Sequence, residues 1–206
     1  MQAALCFSRP RRGALVGIAA ALVTLAGTGS AYAEPHTYQI DAEHFGISFS
    51  VDHLGFADTL GLFLKAQGSF VYDEKTRVLS SGRVVVDAKS VFTNHDARDK
   101  HVRDEDFLAA KAHPEIVFVA DSYEPTSEDG GRLAGKLTLR GQTHPVVLDV
   151  VLNQSAVYPF GHGKPTLGVS ASTTIKRSKW GMTYAIEPPM VGDDVKLVFE
   201  FEAIRE

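Results

Sequence analysis

Apolar and polar residues alternate along most of the chain. Ile47, Phe49, Val51 and His53 interleave with Ser48, Ser50 and Asp52, and Val195, Leu197, Phe199 and Phe201 stand against Lys196, Glu200 and Glu202. A period of two is that of a strand with one buried face. The same reading predicts strands from Thr37 to Ile40, around Val84-Val85-Val86, from Leu133 to Leu139, from Val146 to Leu152 and from Val169 to Ile175. Leu60 to Tyr72 reads as one long strand with Leu60, Leu62, Leu64, Ala66, Gly68 and Phe70 on one face, free to bend at Gly61 and Gly68. Ile116 and Phe118 lie among Val117 and Val119, so this strand is apolar on both faces, and its outer face is expected under the helical insert that precedes it or under a neighbouring segment. Turns follow from Asp73-Glu74-Lys75-Thr76, Ser127 to Gly131, and Gly141-Gln142.

One stretch, Thr93 to Phe118, breaks the alternation and reads first as helix. Thr93 precedes Asp96 by three residues, the spacing of a capping box, which predicts a helix start there. Ala97, His101 and Val102 are its inward candidates, and its many charges are expected in solvent. Phe107 to Ala110 forms a second apolar turn, and Pro114 ends the helical run because it excludes the α region for His113. The insert is expected across one end of whatever the strands enclose.

The count is eight antiparallel strands with mainly short turns, an all-β pattern that hides its edges by closing into a barrel. A sandwich is the rival. Small residues at some inward positions (Ala66, Gly68, Ala120, Gly135, Ala171) leave room inside, which favours a barrel holding an elongated ligand over one filled by its own side chains.

Composition narrows the setting. Arg9, Arg11 and Arg12 precede an apolar run from Ala14 to Ala26 and an Ala31-Tyr32-Ala33 site, so residues 1–33 read as a cleaved secretory signal and 34–206 as one exported domain. Arg11-Arg12 resembles a twin-arginine pair, though its flanks match that signal poorly. The apolar run is shorter than the roughly 20 residues of a membrane-spanning helix, and no second run follows. Without the signal, 18 basic residues face 25 acidic ones, a net charge of −7, which disfavours nucleic acid. The single cysteine, Cys6, lies in the signal, so the remaining chain has no disulfide, thiolate ligand or cysteine nucleophile.

Candidate chemistry is sparse. The chain has no G-x-S-x-G, no H-E-x-x-H and no phosphate-cradling glycine loop. No catalytic residue, metal site or cofactor is therefore expected. His95, Asp96, Asp99 and His101 are possible metal ligands, but His95 and His101 fall on different helix faces. The expected binding surface is the apolar face: Phe49, Val51 and His53, Leu64 and Phe70, Ile116 and Phe118, Leu137 and Leu139, Val169 and Ala171, Trp180, and Leu197 and Phe199. Arg98, His101 and Arg177 are the polar groups expected near a barrel mouth, where they would meet an oxygen-bearing head group. Ser155 to Pro165, with Tyr158 and Phe160, reads as an exposed loop or lip.

Several motifs together resemble the YceI family of bacterial periplasmic proteins: Phe49-Ser50-Val51-Asp52-His53-Leu54-Gly55, Gly61-Leu62-Phe63 with Gly68, Arg98 to Val102 with Asp106-Phe107, Pro114 to Phe118, Gly135 to Gly141, and Arg177 to Gly181. The resemblance implies a lipocalin-like barrel with a short helical insert. It also implies a non-catalytic carrier or storage role for a polyisoprenoid or related amphiphile, such as a polyprenyl quinone or phosphate. Lys179-Trp180 departs from the family, where an acidic residue and phenylalanine are commoner. Transient membrane contact or a homodimer are the remaining partner expectations. The alternatives are a protein-binding or stress-response module using the aromatics around Phe160 and Trp180, and a hydrolase without a recognisable motif.

Overall fold

In the computed structural model, which describes residues 33–206, the alternating stretches form a closed antiparallel barrel. The predicted signal lies outside the described residues, apart from Ala33. The strands are β1 (His36–His53), β2 (Ala57–Phe63), β3 (Ala66–Asp73), β4 (Val78–Asp87), β5 (Val91–Phe92), β6 (Glu115–Pro125), β7 (Gly130–Leu139), β8 (Gln142–Val157), β9 (Pro165–Lys176) and β10 (Val191–Arg205). One helix, α1 (Asp96–Arg103), lies between β5 and β6. Pairing of β1 with β10 closes the ring, so the first and last strands leave no free edge between them. Eight strands make the wall, because β2 and β3 are two parts of one interrupted strand and β5 is a two-residue addition to β2.

That interruption corrects the single strand expected from Leu60 to Tyr72. The Leu64 and Lys65 amides donate to Ser90 Oγ at 3.2 and 3.1 Å, and Lys65 O accepts from the Asp87 amide, so these backbone groups leave the β1 ladder for the turn after β4. The inward parity flips across the break. In β2, Thr59 and Phe63 face the interior, whereas in β3 it is Phe70 and Tyr72. Leu60, Leu62 and Leu64 are left on the outer surface.

Two further expectations change. The helix begins at Asp96 with His95 as its cap, whose ring accepts the Arg98 amide at 3.3 Å, because Thr93 is engaged elsewhere. Val119, on the outer face of β6, is exposed and not covered by the insert. The β7–β8 hairpin turns at Arg140-Gly141, both with positive φ (51° and 71°), as a two-residue turn matched to strand twist requires.

Antiparallel order sorts the connections between two ends. One carries the β1–β2 turn, α1 and the β9–β10 connection; the other carries the β3–β4, β6–β7 and β8–β9 loops. A buried cluster of Tyr38, Tyr72, Leu148, Val150, Leu167 and Val169 lies toward the second end. Another, with Val91, Leu108, Leu139, Ile175, Trp180 and Met182, lies toward the first. Among the described residues no helix is long and apolar enough to cross a membrane.

Candidate functional site

The inward residues do not fill the barrel. They surround an apolar cavity of about 520 Å³, within the few-hundred to roughly 1,000 Å³ range of small-molecule sites. Phe49, Val51 and His53 of β1 reach it, as do Phe70 of β3, Ile116 and Phe118 of β6, Leu137 and Leu139 of β7, Val169 and Ala171 of β9, and Leu197 and Phe199 of β10. Two glycines shape the wall by yielding their side-chain space to aromatic rings across the strand. A β-carbon on Gly61 would lie 2.1 Å from Phe49 Cζ, and one on Gly135 would lie 2.4 Å from Phe118 Cζ.

Two predicted wall residues are not on the wall. Leu64, at the strand break, points outward and is 61% exposed. Trp180 is buried at 1% exposure but packs away from the cavity, donating its indole N–H to Leu137 O at 3.2 Å and meeting His144 edge-on at 5.1 Å. The cause is local: Arg177–Trp180 form a 3-10 turn closed by Gly181 at φ 74°, which carries the indole out of the β9 alternation.

Arg98, His101 and Arg177 come together at the α1 end of the cavity. Arg98 donates from Nε to Thr93 Oγ1 at 2.8 Å and from Nη2 to Thr93 O at 2.6 Å. Thr93 in turn donates its amide and hydroxyl to Asp99 Oδ1 at 2.6 and 2.5 Å. Burial pushes the Asp99 carboxyl up, but these two bonds and the charges of Arg103 and Arg98 hold it below the usual carboxylate range. Asp99 is thus a buried structural acceptor and not a surface partner.

Arg177 is 2% exposed and binds four backbone carbonyls: Gly192 O from Nε (2.7 Å), Met182 O from Nη1 (2.7 Å), and Tyr184 O and Val191 O from Nη2 (both 2.8 Å). It clamps the β9–β10 connection into a fixed loop. Burial pushes its pKa down, opposed by the charge of Asp193. Its guanidinium carbon also lies 5.6 Å from the Phe107 ring centre. Phe107, His101 and Tyr184 meet edge-to-face at 5.1 to 5.6 Å, while His101 Nε2 is 2.9 Å from Asp106 Oδ2.

Phe107 and Tyr184 were not among the predicted site residues, because both sit in segments without alternation. The Arg-Asp-Lys-His-Val and Asp-Phe pieces around Phe107 were the available signal. His95 and Asp99, considered as metal ligands with His101, are committed to the helix cap and to Thr93.

A family model, that of a YceI-like domain, matches residues 38–203. The chain belongs to the YceI family. It is 33% identical over 186 residues to a UPF0312 protein of Pectobacterium atrosepticum, covering 90% of this chain and 94% of that one. Protein YceI of Salmonella arizonae is 31% identical over 87% of this chain and 91% of its own. Among solved structures, Burkholderia cenocepacia BcnA superposes with a TM-score of 0.71 at 21% identity, covering 79% of this chain and 98% of BcnA. A polyisoprenoid binding domain from Saccharophagus degradans superposes with a TM-score of 0.60 at 15% identity, covering 82% and 98%. At such identities the likeness is one of fold.

Proposed function

We propose that the protein is an exported, non-catalytic carrier or storage protein that holds one polyisoprenoid, or a related amphiphile, in its barrel. The observation that carries this reading is the cavity itself, an apolar space walled by every major strand and left open by the residues that line it. Burying hydrocarbon is worth about 0.8 kcal/mol per CH₂, so each five-carbon isoprene unit contributes roughly 4 kcal/mol before ordering costs. Two or three units give strong binding. The Saccharophagus degradans domain of the same fold is described as polyisoprenoid-binding, which supports the same class of ligand here.

The tail would lie along the lumen with its head group at the α1 end. There Arg98 and His101 face the cavity from partly exposed positions, while Arg177 holds the loop that frames it. Leu54, Phe56 and Met190 are exposed at that end, and Phe56, at 89%, suits transient contact with a membrane from which a lipid is drawn. Native mass spectrometry of the protein isolated from the periplasm of its own cells, followed by organic extraction, tests the reading. A co-purifying isoprenoid supports it; a protein that returns without lipid and takes none up from isoprenoid-containing vesicles refutes it.

A further inference from the structure

A second group of titratable side chains lies at the opposite end of the barrel, outside the lumen. β1 and β10 pair regularly at Ile40↔Ala203 and again at Phe45↔Phe201, so four residues, Asp41 to His44, are spread opposite the single residue Glu202. Asp41 Oδ1 accepts the Glu43 amide at 2.9 Å, which turns this bulge back on itself. The other oxygen, Oδ2, is then 2.8 Å from His44 Nδ1, and His44 Nδ1 is 3.7 Å from Glu202 Oε2. One ligand-capable atom from each residue lies within 4.8 Å of the other two.

Glu202 supplies an independent observation. Its Oε2 is shielded from solvent and makes no hydrogen bond of normal geometry, although the side chain as a whole is 33% exposed and the Tyr158 phenol interacts with the carboxylate. A buried carboxylate oxygen in that condition is destabilising unless a positive charge meets it. His44 is too far to donate to it. The shielding comes partly from the β8–β9 loop, where Tyr158 lies 6.3 Å from the His44 ring and is itself stacked on His162 at 4.7 Å.

From this geometry we propose that Asp41, His44 and Glu202 form a divalent metal site of the zinc class at the seam where the barrel closes. One imidazole nitrogen and two carboxylate oxygens are a donor set suited to Zn²⁺, with a fourth position left to water. Metal–ligand bonds of about 2.0 to 2.2 Å in a tetrahedron place ligand atoms roughly 3.4 Å apart. The observed 2.8 and 3.7 Å lie on either side of that spacing and the third pair, Asp41 with Glu202, lies within 4.8 Å, so an ion would draw the three side chains together. Phe45 and Phe201, the chain neighbours of His44 and Glu202, line the lumen, so an ion here would pin β1 to β10 at the far end of the cavity.

The test is calorimetric titration of untagged, chelator-stripped protein with Zn²⁺, alongside thermal unfolding with and without zinc. Wild type, Glu202→Gln, His44→Gln and the distant control His36→Gln are compared. The site predicts one zinc per chain in wild type and control, at least about tenfold weaker binding in both site variants, and a zinc-dependent rise in unfolding temperature only where zinc binds. Absence of saturable uptake by wild type overturns the proposal, as does wild-type affinity in either folded site variant. Should His44→Gln fail to fold, the isosteric Glu202→Gln decides the matter alone.

Discussion

The ring of Phe49 lies over Gly61, its cross-strand partner, in space that no other residue at position 61 would leave free. Phe63 packs beside it at 5.7 Å between ring centres, so the wall at the α1 end depends on one missing side chain. Gly61→Ala should push the Phe49 ring aside and destabilise the protein by about 1 to 3 kcal/mol in urea unfolding. Adding Phe49→Leu should recover part of that loss. An unchanged midpoint in the single variant would show that the ring moves freely.

The Thr93–Asp99 pair predicts a pH dependence. Because the folded-state pKa of Asp99 is depressed, its contribution is present above the ordinary carboxylate range and is lost as pH falls through the folded value. Asp99→Asn should lower stability near neutral pH by about 1 to 3 kcal/mol, since a buried acceptor loses its charge. It should also flatten the slope of stability against pH between about pH 4 and the folded value. Parallel slopes for wild type and variant would contradict this.

Arg177 and Arg98 should behave differently. Arg177→Lys cannot reproduce a fork that holds four carbonyls, and should cost about 3 kcal/mol or more in unfolding free energy. Arg98→Ala should leave stability less affected but weaken a phosphorylated isoprenoid more than the matching alcohol in parallel titrations. Equal weakening of both ligands would remove Arg98 from the head-group site.

Much of the fold was legible as alternation. Val146 to Leu152, Val169 to Ile175 and Val195 to Phe201 present the inward residues that their period of two implies. The run from Leu60 to Phe70 misled because its even positions look continuous, while the backbone leaves its ladder at Leu64-Lys65 to bond the turn at Ser90. No periodicity records such a detour. Trp180 escaped for a similar reason, since a short turn and a left-handed Gly181 carry it off the β9 face. Glu202 is distant in sequence from Asp41 and His44 and meets them only because the first strand pairs with the last.

Export predicts a specific product. The arginine, apolar and Ala-Tyr-Ala order places cleavage after Ala33, so intact mass of the exported protein should correspond to a chain beginning at Glu34. A mass that includes residues 1–33 would contradict it.

Ala171 lies on the lumen wall at mid-strand in β9, and its methyl faces space assigned to the lipid. In a packed interior, Ala171→Phe would destabilise by about 1 to 3 kcal/mol. In a ligand tunnel the added ring occupies space that is already empty. The most direct measurement therefore combines thermal unfolding of delipidated Ala171→Phe with titration by isoprenoids of graded length. A ligand lumen predicts near wild-type stability, lost affinity for long chains and retained affinity for short ones. Strong destabilisation of the lipid-free variant, or equal affinity across all lengths, would contradict it.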